Sequence, residues 1–500
     1  MDDLPPERKA AQPADDSPAA EPAAAESSDR PAAPRGMRPA PSVLHGPIRR
    51  TVLWLALPVL LEQLLSFLVG FYDTWLAGQI SADATSAIGL GAYVGWLASM
   101  IFGLVATGTT ALVSRHWGAG EHDAANRIMN TSVALAALAG VLMVGAIFVA
   151  APGLSAALGM TGPLEDIAIR YLRMDGAGHL VTGITLAGAA ALRGAGDMRS
   201  PMMILGMVNL FNIVASRTLV YGIGPLPFSG STIPLLEPMG VDGIVGGTVL
   251  ARLAGGGLML AGLARGLSGL SLQRSLLWPT RETATRILRI GGPAAFDGGV
   301  MWIGQILFLK VIAGLGGDSV NSAIFAAHII GVRVEAISYL PATAWGVAAA
   351  TMIGQSLGAR NPGRAVRSGN EAVLQCSLLG VLVATVFWFG AGPIYELMHE
   401  DPAVRAAGIP AFRQLALFQI PLMISIVYVI GLRGAGETRL PLVITLLGTF
   451  CVRVPLAWLL GIHYAGGLTG AWAGMCADML LRAVLLAAVY HYGRWTRIRV

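Results

Sequence analysis

Runs of predominantly apolar residues, each long enough to cross a bilayer, recur from about residue 51 to residue 491, and no water-soluble fold can bury so many. A helix needs about 20 such residues to span a hydrocarbon core of about 30 Å. The candidate spans fall near 51–78, 86–114, 128–150, 166–192, 201–223, 241–264, 286–314, 321–356, 369–391, 405–432, 441–461 and 467–491. The chain is 54% hydrophobic and only 13% charged, with a mean hydropathy of +0.64, whereas soluble domains carry roughly 25% charged residues. No segment alternates with period two over about ten residues, as a membrane barrel would require. The sequence therefore predicts an all-α integral membrane fold of twelve transmembrane helices, with the lipid bilayer as its first partner.

The net charge of +5 is placed by topology and does not point to nucleic acid. Arginines follow alternate spans: Arg115 and Arg127; Arg193 and Arg199; Arg265, Arg274, Arg281, Arg286 and Arg289; Arg360, Arg364 and Arg367; Arg433 and Arg439; then Arg494, Arg497 and Arg499. The loops 79–85, 151–165, 223–239 and 462–466 hold neither Lys nor Arg. This asymmetry predicts that both termini are cytoplasmic.

The chain is also duplicated. Leu192-Arg193-Gly194-Ala195-Gly196-Asp197-Met198-Arg199-Ser200-Pro201 returns 240 residues later as Leu432-Arg433-Gly434-Ala435-Gly436-Glu437-Thr438-Arg439-Leu440-Pro441. Gly118-Ala119 meets Gly358-Ala359 at the same offset, and Pro58 and Glu62 meet Pro293 and Asp297 at 235. Six spans separate equivalent positions, so the halves are parallel repeats, two pseudo-symmetric six-helix bundles about an axis along the membrane normal, with the substrate path between them. The LRGAG stretch is either a tight cytoplasmic turn, with glycines ending one helix and Pro opening the next, or a gate. The expected divisions are a disordered cytoplasmic tail (1–45), an N-terminal lobe (46–265), a cytoplasmic linker (266–285) and a C-terminal lobe (286–500). The tail is rich in Pro and Ala and has no apolar run, so it cannot bury enough surface to order itself.

Several chemistries are missing. The lysines are Lys9 and Lys310, and neither follows GxxxxG, so there is no Walker A loop. HExxH and CxxC do not occur, and Cys376, Cys451 and Cys476 all fall in apolar spans without metal spacing. The one GxSxG match, Gly354-Gln355-Ser356-Leu357-Gly358, ends a membrane helix and lacks the strand a nucleophile elbow needs. Neither an enzyme nor a cofactor is expected.

Polar groups at membrane depth are costly and usually mark a pathway or a pair. Asp73 lies in the outer half of the first helix. By the helical rise of about 1.5 Å per residue, Asn212 on the fifth helix, with Ser216 one turn beyond it, and Thr248 on the sixth reach a similar level. This group is either a proton or small-cation site or a static hydrogen-bonded core. Glu62 and Asp297, one turn after the kinking Pro58 and Pro293, either line a central cleft or satisfy backbone freed at the kink. Lys310 either faces that cleft or snorkels. His328 and Glu335 share a helix face and are further cleft candidates.

The residues resemble one family. Leu57-Pro58-Val59-Leu60-Leu61-Glu62-Gln63 followed by Phe71-Tyr72-Asp73-Thr74-Trp75-Leu76-Ala77-Gly78 is similar to the first helix of the multidrug and toxic compound extrusion family. Ala326-Ala327-His328, the segment from Gly354 to Pro362, and both LRGAG turns extend the likeness over about 50–495. The resemblance implies two lobes around a V-shaped cleft. It also implies alternating-access antiport of small organic compounds, often cationic, against inward protons or sodium ions. It implies that Asp73 is the coupling acid, with Asn212 and Thr248 beside it. Ser216 stands where members often carry a second acid, which leaves the coupling ion open. A lipid-linked oligosaccharide flippase of the same broad superfamily is the alternative. The expected setting is the bacterial inner membrane and the expected working unit a monomer.

Overall fold

The computed structural model describes residues 43–157, 159–223, 236–316 and 322–498. The expected disordered tail lies almost wholly outside the described residues, as does most of the loop 223–239. Within them the backbone is helical, with no strand beyond an isolated bridge between Ile223 and Leu236. The first half comprises α1 (Ile48–Gly78), α2 (Ala82–Gly118), α3 (His122–Ala157), α4 (Pro163–Gly194), α5 (Arg199–Tyr221) and α6 (Val241–Ala264). Two short 3-10 turns, Leu267–Gly269 and Arg274–Leu276, lie in the linker. The second half comprises α7 (Arg281–Ala313), α8 (Ser322–Gly358), α9 (Pro362–Met398), the broken α10 (Pro402–Ala416 and Gln419–Gly434), α11 (Arg439–His463) and α12 (Gly467–Tyr492).

Among the described residues ten of these helices are long and apolar enough to cross a bilayer unaided, and the α10 pair, bent by 56°, makes an eleventh span. The twelfth is α4. It has 32 residues, roughly 48 Å of helix at the standard rise, and its charges (among them Arg170, Arg173 and Asp175), its glycines and His179 lower its apolar character. The bend in α10 has a local cause. Pro421 offers no N–H to the carbonyl of Leu417, and its ring clashes with that carbonyl, so the helix breaks there. Pro58 and Pro293 lie inside uninterrupted helices. Helix α11 carries two π-helical stretches, Leu447–Arg453 and Leu459–His463. Large apolar side chains such as Val149, Leu142 and Phe389 point outward, as a bilayer-facing surface requires.

The two LRGAG motifs fold alike. Gly196 and Gly436 adopt φ of 95° and 90°, a conformation that suits glycine. The N–H of Asp197 donates to the carbonyl of Leu192 at 2.9 Å, and that of Glu437 to Leu432 at 2.9 Å, closing the same helix-ending motif. The acid that follows then caps the next helix. Asp197 accepts from the N–H groups of Arg199 and Ser200, and Glu437 from those of Arg439 and Leu440, all at 3.0 Å.

The halves meet most tightly at the end that carries the arginine-rich loops. Helix α2 packs backbone to backbone on α7 and α8. A Cβ on Gly118 would strike the carbonyl of Gln355, and one on Gly291 would strike that of Leu104. Two hydrogen bonds cross the same seam, from Thr351 Oγ1 to the Arg193 carbonyl at 3.0 Å and from Gln355 Nε2 to the Gly194 carbonyl at 2.8 Å. Small residues that let backbones approach are the usual means of helix association in lipid. Farther along, Trp96 of α2 stacks on Trp302 of α7, with ring centroids 5.3 Å apart.

Candidate functional site

In the N-terminal lobe α5 and α6 are brought together by Gly247, whose missing side chain leaves room for Ser216. Their polar residues then interlock. Asn212 Nδ2 donates to Thr248 Oγ1 at 3.0 Å, and Ser216 Oγ donates to the Ile244 carbonyl at 3.3 Å and lies 3.5 Å from Asn212 Oδ1. Asn212 and Ser216 are buried. Asp73, half-buried on α1, has its Oδ1 enclosed without a hydrogen-bond partner. The charges that reach it are those of Arg252 and Asp175.

Those two residues form a second layer. Arg252 Nη1 of α6 bonds Asp175 Oδ1 of α4 at 2.8 Å, and His179, one turn along α4, places Nε2 3.2 Å from Asp175 Oδ2. Gly178 makes room for the Arg252 side chain. Asp175 and His179 escape a reading by isolated motif, although an acid and a histidine four residues apart in an apolar helix is a usable signal. Asp73 is thus an acid without a dedicated arginine, set beside an acid that has one.

Glu62 and Asp297 are buried and paired. Arg193 Nη2 lies 2.5 Å from Glu62 Oε1, and Arg433 Nη2 lies 2.5 Å from Asp297 Oδ2. The arginine of each LRGAG motif therefore turns inward to the acid one turn past its repeat's proline. Its charge is spent in the bundle and not only at the membrane surface.

The C-terminal lobe holds its own buried network. Asp478 of α12 accepts from Arg453 Nε at 2.8 Å and Arg482 Nε at 2.6 Å, and Arg482 Nη2 donates to Thr449 Oγ1 at 2.7 Å. Arg453 ends the first π-helical stretch, which turns it into the lobe. Glu335 is buried nearby, with the Tyr339 hydroxyl 3.4 Å away. His328 accepts at Nδ1 from Trp472 Nε1 at 3.1 Å. His328 and Glu335 thus sit inside this lobe, and Lys310 is exposed near the end of α7. Among the described residues no group of three or more His, Cys, Asp or Glu side chains is arranged to hold a metal ion.

The sequence profile of the MatE family matches residues 58–217 and 293–459, once in each half of the chain. The chain belongs to the MatE family. It is a multi-spanning membrane transporter and not an enzyme. Its relatives in the family include the probable multidrug resistance protein NorM of Thermotoga maritima, 28% identical over 450 residues, covering 90% of this chain and 94% of that protein. The multidrug resistance protein PmpM of Pseudomonas aeruginosa is 25% identical, covering 87% and 90%. Among solved structures, a MOP superfamily transporter from Pyrococcus furiosus superposes with a TM-score of 0.81 at 21% identity, covering 92% of this chain and 98% of that one. An outward-facing multidrug resistance MATE transporter gives 0.80 at 21%, covering 90% and 96%. At that identity the structural likeness speaks for the MatE fold alone.

Proposed function

We propose that this MatE protein is a secondary antiporter of a bacterial inner membrane, exporting small amphipathic organic compounds against an inward proton or sodium gradient. The observation that carries the reading is the imbalance of buried charge between the lobes. The C-terminal lobe sets Asp297, Glu335 and Asp478 against Arg433, Arg453 and Arg482. Among the described residues the N-terminal lobe sets Glu62, Asp73 and Asp175 against Arg193 and Arg252, with His179 beside Asp175, and leaves Asp73 without an ion pair. Burial disfavours an unpaired charge, so Asp73 calls for one mobile cation that the protein does not supply. Asn212, Ser216 and Thr248 offer neutral oxygens on α5 and α6, the helices packed against α1 in this lobe.

A proton satisfies this need more simply than sodium. Sodium favours several oxygen ligands and more negative charge, and Ser216 supplies no second carboxylate. Coupling follows if the ion and the cargo each bind the two conformations differently. The seam at the arginine-rich end, zipped by Gly118 and Gly291, must open once per cycle. The multidrug names carried by the relatives from Thermotoga maritima and Pseudomonas aeruginosa favour a broad cargo range here too. Both termini are assigned to the cytoplasm on the arginine asymmetry.

Inverted vesicles test this reading. Ethidium accumulation should follow an imposed proton gradient, and a sodium gradient at fixed pH should have little effect. Accumulation that follows neither gradient would contradict the antiporter reading, and accumulation that follows sodium alone would contradict the proton preference.

A further inference from the structure

The two LRGAG arginines share a cavity. Between the lobes, within the seam at the arginine-rich end, lies a space of about 230 Å³. Thr107 and Thr110 of α2 and Arg193 of α4 line it from one half, and Val347 and Ala350 of α8 and Arg433 of α10 from the other. The side chains of Arg193 and Arg433 remain 15% and 21% exposed despite their ion pairs. Each pair joins one guanidinium nitrogen to one carboxylate oxygen, while the Nε of both arginines and the second oxygens of the acids, Glu62 Oε2 and Asp297 Oδ1, are buried without a partner. Glu62 and Asp297 thus take only part of what two guanidinium groups can donate, since each carries five N–H donors in a fixed fork. The acids are buried behind the arginines and are not among the residues that line the space. The cavity wall therefore presents two cations, a threonine hydroxyl and apolar surface.

We propose that this cavity is an oxyanion site, taking the carboxylate or phosphate group of an amphipathic molecule between Arg193 and Arg433. Guanidinium forks match the geometry of carboxylate and phosphate oxygens, and Thr107 adds a hydroxyl, whereas that of Thr110 donates to the Ala190 carbonyl at 3.3 Å. Val347 and Ala350 accept the apolar body. A ligand held by one arginine from each half bridges the lobes at the level where they must separate, so its binding favours the arrangement in which both arginines reach it. That the occupant is transported cargo rests on the exporter reading above. That the site prefers oxyanions does not, and the test needs no ion gradient.

The test uses the full chain in phosphatidylcholine nanodiscs, carrying Cys451→Ser to remove the one exposed native thiol. Thr110→Cys is labelled with sulfonatoethyl methanethiosulfonate and with trimethylammonioethyl methanethiosulfonate, each rate referred to that of free cysteine. The anionic reagent should be favoured by about threefold or more, because the arginines line the cavity and their partner acids do not, and Arg433→Gln in the Asp297→Asn background, which strands no carboxylate, should remove most of that preference. Thr107→Cys provides the same readout if Thr110→Cys does not fold. Benzoate should slow the labelling, and its cationic isostere benzamidine should not. Slowing by phosphatidic acid in the nanodisc and not by benzoate would identify a lipid headgroup as the source of the oxyanion. Preference for the cationic reagent, indifference to Arg433→Gln in that background, or protection by benzamidine alone would overturn the proposal.

Discussion

Arg193 at the end of α4 lies 2.5 Å from Glu62 on α1, across 131 residues of chain, and Arg433 repeats the contact with Asp297 across 136. The duplicated motif and the duplicated acid are therefore two halves of one device. Each pair is buried, so removing one partner strands a charge. Arg433→Gln should cost about 3 to 5 kcal/mol, read as a fall in thermal stability. Asp297→Asn combined with Arg433→Gln should recover much of that loss. A double variant no more stable than the worse single one would show that the two side chains do not compensate each other.

The interlobe seam rests on glycines whose partners are backbone atoms and cannot yield as a side chain tip can. Gly291→Ala should weaken closure by about 1 to 3 kcal/mol and raise the labelling of a cysteine placed at Thr351. Labelling equal to that of the glycine parent would show that the seam tolerates a methyl group there.

Orientation is tested with two exposed sites on loops of opposite character. In the Cys451→Ser background, Tyr464→Cys should react with an impermeant thiol reagent in intact cells and Glu121→Cys should not. The reverse pattern would place the arginine-rich end outside.

Depth arithmetic along single helices suggested the level shared by Asp73, Asn212 and Thr248, and Asn212 and Thr248 meet at 3.0 Å. Helix count, the repeat and the turn chemistry of Gly196 and Gly436 were legible for a similar reason, since each is local or counts residues. The partnerships were not. Whether Arg193 points to water or to Glu62 depends on the rotation of α4 against α1, and no periodicity in either helix reports it. The role of Arg252 comes from the packing of α6 on α4, because its partner Asp175 lies 77 residues away. The network on Asp478 was hidden further by the π-helical stretch that reorients Arg453.

Arg252 neutralises Asp175 and so limits the negative charge near Asp73. Arg252→Met should leave both Asp73 and Asp175 without an arginine and make the site a better host for sodium. Ethidium accumulation by the variant should then respond to a sodium gradient at fixed pH, given that the protein remains folded by circular dichroism. A folded variant with an unaltered ion dependence would remove Arg252 from ion selection.

Asp73→Asn is the most direct test of the account, because the substitution keeps the size of the side chain and removes its charge. Proton-gradient-driven ethidium accumulation in inverted vesicles should fall to the level of vesicles lacking the protein, while ethidium binding to the purified variant stays within about twofold of wild type. Cargo added to the wild-type protein in weak buffer should release protons, and the variant should release none. Accumulation by Asp73→Asn at the wild-type rate would contradict the claim that this carboxylate couples the gradient to export.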